Sequence, residues 1–387
     1  MTSATASAQE SQTVFGARGN MHYSNFNWDW EPERRAAVDL NKLVVEFWSD
    51  LTKNIQLEVE VEIEHGGTGS TMEFDRLEEF GEFEQEVEAG GEVLIEELIL
   101  TASVHPNLDI QFGHLLVPVG LQTLRHTPMQ SFTVEPAESE SSLIPVVWHE
   151  TGVGAVGNAG PFFYHALAVT GLDSTGFSSA SWVARGHQTR FETVNADNIA
   201  LAARLDYGHP MSDAHFGASV YWSDTADNRP KPDTDLDAHV FIANLHAVYE
   251  SGPVKARGIL LYGALQNAGE ISRLNRNLSN KLNVKRTPVG SAALGWRIEG
   301  GYDIGTLIGS FNKELILFGQ IEGYDTMFRV PDGAFDNPRW DRQALTLGLN
   351  FAPASQLILK THYTWRRLGT ETLKKEDTFS FGFGFVL

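Results

Sequence analysis

Residues 55–64 read Ile-Gln-Leu-Glu-Val-Glu-Val-Glu-Ile-Glu, an alternation of apolar and polar residues with a period of two. A helix would spread these side chains around its circumference, whereas a strand places them on two opposite faces. One face of the predicted strand is apolar, and the other carries Glu58, Glu60, Glu62 and Glu64. Two kinds of protein have such strands: a soluble protein with a half-buried sheet, and a membrane barrel with lipid outside and water inside.

The composition narrows the class of protein. The chain has 387 residues, a net charge of −21 and no cysteine. No stretch approaches the roughly 20 consecutive apolar residues that a membrane helix needs. The acidic balance argues against nucleic-acid binding, which needs a basic surface. Without cysteine there are no disulfides and no thiolate metal sites.

We expect two segments in the chain. Residues 1–13 are predicted to be a flexible N-terminus, in which Ala-Thr-Ala-Ser-Ala (residues 4–8) resembles the small-residue end of a cleaved signal peptide. A flexible N-terminus of a cytosolic protein has the same composition, so this segment does not separate the two interpretations. Residues 14–387 are predicted to form a single transmembrane barrel.

The connections between the predicted strands alternate between short and long. Short turns such as 105–107 and 251–253 contain Gly, Pro or Asn, which favour tight turns. The long connections, such as 66–91, 120–150, 172–196 and 267–290, are polar. This layout predicts an all-β fold: a closed antiparallel transmembrane β-barrel of about sixteen strands, with short periplasmic turns and long extracellular loops. The predicted strands are 14–24, 40–48, 55–65, 92–104, 108–119, 151–157, 162–171, 197–208, 215–223, 238–250, 254–266, 291–304, 314–325, 343–352, 356–367 and 378–387.

The register of the last predicted strand supports this interpretation. Phe379, Phe381 and Phe383 fall on one face, while Ser380 and Gly382 fall on the other. A slip of one residue would exchange the two faces. In a barrel the apolar face meets lipid, where a lysine or arginine at the midplane costs roughly 2–4 kcal/mol.

The region 91–157 holds a distinctive series of motifs. A Val-Pro-x-Gly run is followed by His-x-Pro, Ile-Pro and Trp-x-Glu-x-Gly-x-Gly motifs, after an acidic strand that ends in Glu-His. The residues are Val117-Pro118-Val119-Gly120, His126-Thr127-Pro128, Glu135-Pro136, Ile144-Pro145, Trp148 to Gly154, and Glu60, Glu62, Glu64 and His65. These motifs resemble those of a family of bacterial outer-membrane porin-like proteins, distantly related to the phosphate-selective porins. The resemblance implies a porin-type barrel, and a trimer as the favoured assembly, and it leaves the solute open.

The resemblance also implies that the loop 120–150 folds into the lumen and narrows it, so that Glu135, Glu138 and Glu140 meet the wall. Strand register alone predicts that the inward faces differ in sign. The row Glu58, Glu60, Glu62 and Glu64 lies on the third strand, and basic residues lie on strands eleven, twelve and fifteen, on the roughly opposite wall. These basic residues are Lys255, Arg257, Arg297, Lys360, His362 and Arg366. Opposed rows would orient polar solutes; alternatively, these are solvated lumen residues that pair with neighbours.

Other motifs indicate little chemistry. The loop 66–91 is rich in glutamate, which is typical of a solvated acidic loop and also suits divalent-ion binding, although no calcium-loop spacing occurs. No Gly-x-Ser-x-Gly, phosphate-loop or His-Glu-x-x-His motif occurs. The thirteen histidines are dispersed. We therefore expect no enzyme activity, no cofactor and no metal site.

The sequence predicts a porin of the bacterial outer membrane. Small hydrophilic solutes or ions would diffuse passively through its water-filled lumen, and lipid with lipopolysaccharide would surround it. Two alternatives remain: a non-conducting structural or interaction barrel with acidic loops, and an outer-membrane hydrolase. Discrete conductance steps would separate the first interpretation from the others.

Overall fold

The predicted strands pair in sequence order and close into a ring in the computed structural model of this chain. The structure describes residues 12–67, 73–79, 82–86, 93–188, 194–231, 233–276, 278 and 286–387. The N-terminal segment predicted for residues 1–13 lies almost wholly outside this range. None of the helices among the described residues is long and apolar enough to cross a bilayer.

The described residues include eighteen strands, of which sixteen make the barrel and two make a separate hairpin. The barrel strands are β1 Thr13–Trp28, β2 Ala37–Thr52, β3 Ile55–Glu64, β6 Val93–His105, β7 Leu108–Leu116, β8 His149–Ala159, β9 Phe162–Thr170, β10 Ile199–Tyr207, β11 Ala214–Asp224, β12 His239–Ser251, β13 Val254–Leu265, β14 Ala292–Asp303, β15 Glu314–Arg329, β16 Asp341–Ala354, β17 Leu357–Leu368 and β18 Glu376–Val386. The hairpin is β4 Glu73–Glu79 with β5 Glu82–Glu86. In the described part of the chain there are two α-helices, α1 Glu138–Ser141 and α2 Ala268–Arg276, with 3-10 turns at Pro128–Gln130, Ser174–Gly176, Ala184–Gly186, Ile304–Leu307 and Pro338–Trp340.

The barrel closes where β1 pairs with β18, with Tyr23 opposite Phe381 in the register. Every other barrel strand pairs antiparallel with its neighbours in the chain, except that β3 pairs with β6 across the inserted hairpin. The prediction of a closed antiparallel barrel of sixteen strands is confirmed. Turns lie at one end of the barrel, the short-turn end, and the longer connections lie at the other, the long-loop end.

The two faces of the strands separate as the alternation predicts. On β18, Phe381 is 50% exposed on the outside, while Ser380 is buried inside. On β16, Leu347 is 47% exposed and Thr346 is buried. Large apolar side chains that remain exposed all around a sheet form a surface suited to lipid rather than to water.

Several elements differ from the sequence prediction. The segment 66–91, expected to be a solvated loop, contains the hairpin of β4 and β5. The connection 267–290 contains helix α2, whose Ile271 is fully buried among the other long connections. A helix of nine residues is marginal alone, so this one depends on tertiary packing that the local sequence does not show. Strands β1 and β15 also extend beyond their predicted ends, each with sixteen residues.

Candidate functional site

The inward face of β3 forms a network with β1, β2 and β6. Arg18 of β1 donates to Glu60 at 2.7 Å and also contacts Glu46. Lys42 of β2 lies 2.7 Å from Glu62. The tryptophan ring of Trp48 donates to Glu58. The Glu row is thus on the inside of the barrel, where its carboxylates have cationic and polar partners.

A bulge on β6 adds two further carboxylates to this network. The β3–β6 register shifts between Glu60 and Val61, which leaves Glu96 as an extra residue beside Glu97, and both are buried. Glu96 lies 3.6 Å from both Arg18 and Lys42. We name this region the acidic wall: among the described residues it contains the two cations Arg18 and Lys42 and the carboxyl groups of Glu46, Glu58, Glu60, Glu62, Glu64, Glu96 and Glu97.

The basic residues of β13 and β14 are paired with carboxylates. Lys255 lies 2.7 Å from Glu314, and Arg257 lies 3.1 Å from Glu299. Arg297 lies 3.1 Å from Glu140. Their charges are compensated locally, so this side of the barrel is close to neutral.

The expectation of a basic wall opposite the Glu row is therefore wrong in two respects. Strand β13 lies opposite β3, eight steps away in the ring of sixteen, but its cations are paired. Strand β17, which carries Lys360, His362 and Arg366, lies only four steps from β3 through β2, β1 and β18. That is a quarter of the circumference. The sequence carries the register of each strand, but the angular position depends on counting every strand around the closed ring.

The segment 117–148, between β7 and β8, makes contacts with side chains from many parts of the inner wall. Glu135 lies 2.7 Å from His22 of β1. Glu138 on α1 pairs with Arg366 of β17 and accepts a hydrogen bond of 2.7 Å from Tyr324 of β15. We name this segment the inner loop.

The carboxylate of Glu140 links two parts of the inner loop and also links the loop to the barrel wall. One oxygen accepts from the backbone N–H of Leu121 at 2.7 Å and of Gln122 at 3.1 Å, and the other lies near Arg297. Glu140 is almost fully buried. It is a structural tie between loop and wall rather than a solvent-facing charge.

Lys360 and His362 bind the backbone of the inner loop. The ammonium of Lys360 donates to the carbonyls of Ser131 at 2.7 Å and Thr133 at 2.9 Å, and His362 Nε2 accepts from the N–H of Val134 at 3.2 Å. On β10, Arg204 donates to the carbonyl of Gly120 at 2.8 Å. Lys360, His362 and Arg204 thus anchor the inner loop.

Glu138 and His126 are inner-loop groups with shifted pKa values. Burial disfavours the charged form of Glu138, but the charge and hydrogen bonds of Arg366 outweigh it, so the pKa of Glu138 lies below its ordinary 4.5. Burial, followed by the charge of Arg18, lowers the pKa of His126 below its ordinary 6.5. Neutral His126 donates from Nδ1 to the carbonyl of Thr123 at 2.7 Å and accepts from Arg18 at Nε2, 2.9 Å away.

An apolar cluster fills the barrel at the long-loop end, on the side of β9 to β13. Trp148 of the inner loop packs on the inward Tyr221, with ring centroids 4.5 Å apart. Trp182, from the connection after β9, donates to the carbonyl of Gly290 at 3.0 Å, and it lies so close to Gly263 that a Cβ there would be 1.9 Å from its ring. The sequence prediction of a polar lumen missed this cluster; its signal is the run of apolar inward residues at this end of the strands, Val169, Ala200, Ala202, Tyr221, Val240, Ile242 and Leu261.

A polar cavity of about 230 Å³ lies away from the apolar cluster, between the inner loop and the part of the barrel wall formed by β1 and its neighbours. Lys42, Glu64 and His65 line it from the wall, and Arg125 and Glu135 line it from the loop. A smaller space of about 20 Å³ shares Gln122, Arg125 and Ser131 with it and reaches Arg257 and Arg297. Inner-loop residues thus line both spaces.

Several residues of this site were not predicted as candidates. Arg18 and Lys42 lie at inward positions of the two predicted strands that precede the Glu row, so the same alternation could have identified them. His22 shares the inward register of Arg18, but its contact with Glu135 and the roles of Arg125 and His126 depend on where the inner loop lies.

Three groups of side chains have ligand atoms close enough to share a metal ion, each within 4.8 Å of the others in its group. In the group of Asp206, His215 and His246, the guanidinium of Arg204 already supplies a positive charge. It donates to Asp206 at 2.6 Å and lies 2.7 Å from His246. The groups are His22 with Asp39 and Glu135, Asp206 with His215 and His246, and Glu58 with Glu60 and Glu97.

A closed barrel with an apolar outer surface and an inner loop defines a porin-like fold. Solved structures agree: the chain matches an anion-selective porin from Comamonas acidovorans (TM-score 0.57, 12% identity, 98% of this chain and 100% of that one). It also matches the outer membrane channel DcaP of Acinetobacter baumannii (TM-score 0.57, 13% identity, 97% of each chain). A third match is the in-vitro folded outer membrane protein OmpT of Vibrio cholerae in a trimer form (TM-score 0.54, 11% identity, 98% of this chain and 100% of that one).

These likenesses show the fold and do not extend to the solute. In sequence, the chain is 26% identical to an uncharacterized protein of Aquifex aeolicus (strain VF5) over 354 residues, which are 90% of this chain and 74% of the relative. No protein-family model matches the chain.

Proposed function

We propose that the protein is an outer-membrane channel through which small hydrophilic solutes or ions diffuse passively. The carrying observation is the polar cavity of about 230 Å³ between the inner loop and the wall. Water-filled space lined by charged side chains, inside a barrel with an apolar outer surface, is the arrangement of a porin lumen. The long-loop end would face the outside of a Gram-negative cell, surrounded by lipid and lipopolysaccharide, and the short-turn end would face the periplasm.

The inner loop would set the width of this path. The contacts of the inner loop with Arg366, Arg297 and Lys360 hold it across the barrel. Its residues line both the cavity and the smaller space that shares lining residues with the cavity. Conduction would therefore depend on the position of this loop. Passive transport requires no catalytic group, so we propose no enzyme activity.

The charge of the acidic wall favours cations over phosphate. Seven carboxyl groups share that wall with Arg18 and Lys42, whereas the cations of β13 and β14 are paired. A ring or row of uncompensated carboxylates favours cation passage. The distant resemblance to phosphate-selective porins is accordingly proposed to extend to the barrel and inner loop but not to the solute. A trimer is proposed as the assembly, since one of the similar structures has a trimer form.

A second function is favoured by the apolar cluster. Trp148, Trp182 and Tyr221 are fully buried, so much of the barrel interior at the long-loop end is packed like a protein core. A barrel with a fully blocked interior would serve a structural or interaction role and would conduct no current.

Planar-bilayer recordings with a salt gradient separate these two functions. Discrete conductance steps with a reversal potential that favours cations are expected. Reconstituted protein that inserts in folded form without any steps would refute the channel and support the structural barrel. Steps with a reversal potential that favours anions would refute the proposed selectivity alone.

A further inference from the structure

Two histidines and two carboxylates from separate elements meet at the edge of the polar cavity. His22 lies opposite Asp39 in the register of β1 and β2. His65 follows the last residue of β3 and lies 2.9 Å from Asp39. Glu135 of the inner loop lies 2.7 Å from His22. The four side chains therefore form one group, although they are far apart in the sequence.

The geometry of this group suits a shared metal ion. One ligand atom each from His22, Asp39 and Glu135 lies within 4.8 Å of the other two. The side chains of His65 and Glu135 are half exposed, so they can turn toward a common centre with little loss of packing. The side chain of His22 is 94% buried, and its Nδ1 atom has no hydrogen-bond partner. An ion would reach the group from the cavity, which His65 and Glu135 both line.

The donor types select a particular class of metal. Imidazole nitrogen with carboxylate oxygen is a typical set for Zn²⁺, which prefers four ligands at about 2.0–2.2 Å. Ca²⁺ prefers six to eight oxygen ligands and does not suit two imidazoles. The two carboxylates supply two negative charges, which balance a divalent ion.

The other two groups suit a metal less well. The guanidinium of Arg204 neutralises Asp206 and lies against His246, where an ion would have to sit. The group of Glu58, Glu60 and Glu97 consists of carboxylates alone and lies in the acidic wall, where Arg18 already binds Glu60.

We propose that His22, Asp39, His65 and Glu135 bind Zn²⁺ or a divalent ion of the same class. The bound ion links the inner loop to β1, β2 and the end of β3 at the entrance of the cavity. Binding does not depend on conduction, whereas the effect of the ion on conduction rests on the proposed channel function.

Calorimetry on metal-free, tag-free, full-length protein in detergent tests the binding. Zn²⁺ alone is the probe, with Ca²⁺ as a competitor. Saturable binding of one ion is expected, which Ca²⁺ does not displace. His22→Ala and His65→Ala should weaken it by more than the roughly tenfold seen when only a partner of a metal ligand is lost. His105→Ala is the matched control, because His105 is an exposed histidine at the end of β6, and it should bind Zn²⁺ like the parent chain.

A second measurement separates lost binding from lost folding and from lost function. Glu135→Gln changes a half-exposed side chain and should leave the circular-dichroism spectrum unchanged while it weakens Zn²⁺ binding. In bilayers, Zn²⁺ should reduce the conductance of the parent chain and of His105→Ala but not that of Glu135→Gln. No saturable binding, or equal binding by folded His22→Ala and His65→Ala, would overturn the metal site. Binding without any conductance steps would leave the site standing and refute the channel.

Discussion

At the scale of single residues, Arg18 and Lys42 hold the carboxylates of the acidic wall together. Arg18 binds Glu60 at 2.9 Å and 2.7 Å with two nitrogens, a bidentate pair with fixed geometry. Lys42 lies 2.7 Å from Glu62 and lines the cavity. Removing a cation from such a group leaves negative charge uncompensated where the dielectric constant is low. The balance of charge along the proposed path therefore depends on a few side chains.

Lys42→Gln should move the reversal potential of the channel further toward cations. The substitution removes a positive charge from the cavity and leaves Glu62 and Glu96 less compensated. Glu64→Gln, which removes a carboxylate from the same cavity, should move the reversal potential the other way. Lys53→Gln, in the exposed turn between β2 and β3, is the control. Equal reversal potentials for Lys42→Gln and Glu64→Gln in a salt gradient would contradict this arrangement.

Acid should weaken the binding of the inner loop in two stages. The pKa of His126 is lower in the folded state, so the unfolded state binds more protons below pH 6.5, and the stability that neutral His126 contributes is lost as the pH falls below that value. The pKa of Glu138 is also lower when folded, so its contribution is present above 4.5 and is lost as the pH falls through the folded value. The single-channel conductance and the frequency of closures should therefore become more variable below pH 6.5. Their variability should increase a second time below pH 4.5.

Two variants assign these stages. His126→Asn keeps a hydrogen-bonding side chain that does not titrate and should lack the first stage. Glu138→Gln should lack the second stage. Its conductance and closures should already be more variable at pH 7, because Arg366 loses its anionic partner. Recordings between pH 7 and pH 3 measure both, and a profile unchanged in either variant would rule out that group.

At the scale of elements, inward glycines allow the inner loop to pack against the barrel wall. At Gly295 of β14, a Cβ would lie 2.4 Å from the carbonyl oxygen of Ser139 and 2.6 Å from Leu143. Contacts this short require either the loop or the strand to move. The loop is therefore held by shape as well as by the ion pairs of Glu138 and Glu140.

Gly295→Val should displace the inner loop and raise the single-channel conductance. Gly300→Val is the matched control on the same strand, since Gly300 faces outward and its nearest neighbour to a new Cβ is the carbonyl oxygen of Lys255, 3.7 Å away. The control should conduct like the parent chain. If both variants conduct alike, the loop does not limit the current.

At the scale of the whole molecule, the closed ring makes each barrel strand pair with two neighbours, so the barrel itself has no open edge. The outer surface then has to match the bilayer in depth as well as in polarity. Leu347 lies midway along β16 on the outer face, while Leu357 begins β17 at the short-turn end.

Leu347→Arg should destabilise the barrel in lipid by roughly 2–4 kcal/mol, and Leu357→Arg by about 0–1 kcal/mol, because the energy of a charge on the lipid face depends on depth. Reversible unfolding in denaturant, with the protein inserted in vesicles, measures the difference. Similar losses for the two variants would argue against a membrane-spanning outer surface.

Alternation and turn composition predicted most of the fold. The predicted strand 55–65 is β3 Ile55–Glu64, and 254–266 is β13 Val254–Leu265. The period of two is a local property, since neighbouring side chains of any strand point to opposite faces. The candidate site was less predictable. The residues of the acidic wall share a readable register, but His22 meets Glu135 only because the inner loop crosses the barrel.

The sequence by itself determined that Ile55 to Ile63 and Glu58 to Glu64 lie on opposite faces, and that sixteen such strands alternate between short and long connections. Only the tertiary structure decided what each inward face meets. Lys360 was expected across the lumen from the Glu row, yet it lies a quarter turn away and binds loop carbonyls. The interior at the long-loop end beside β9 to β13 is packed with apolar side chains. The physical reason is that faces follow from the backbone of one strand, whereas ion pairs, cavities and metal-binding groups require closure of the ring and placement of a loop. Two contacts of that loop, from His126 to Arg18 and from Ser131 to Lys360, join residues more than 100 positions apart in the chain.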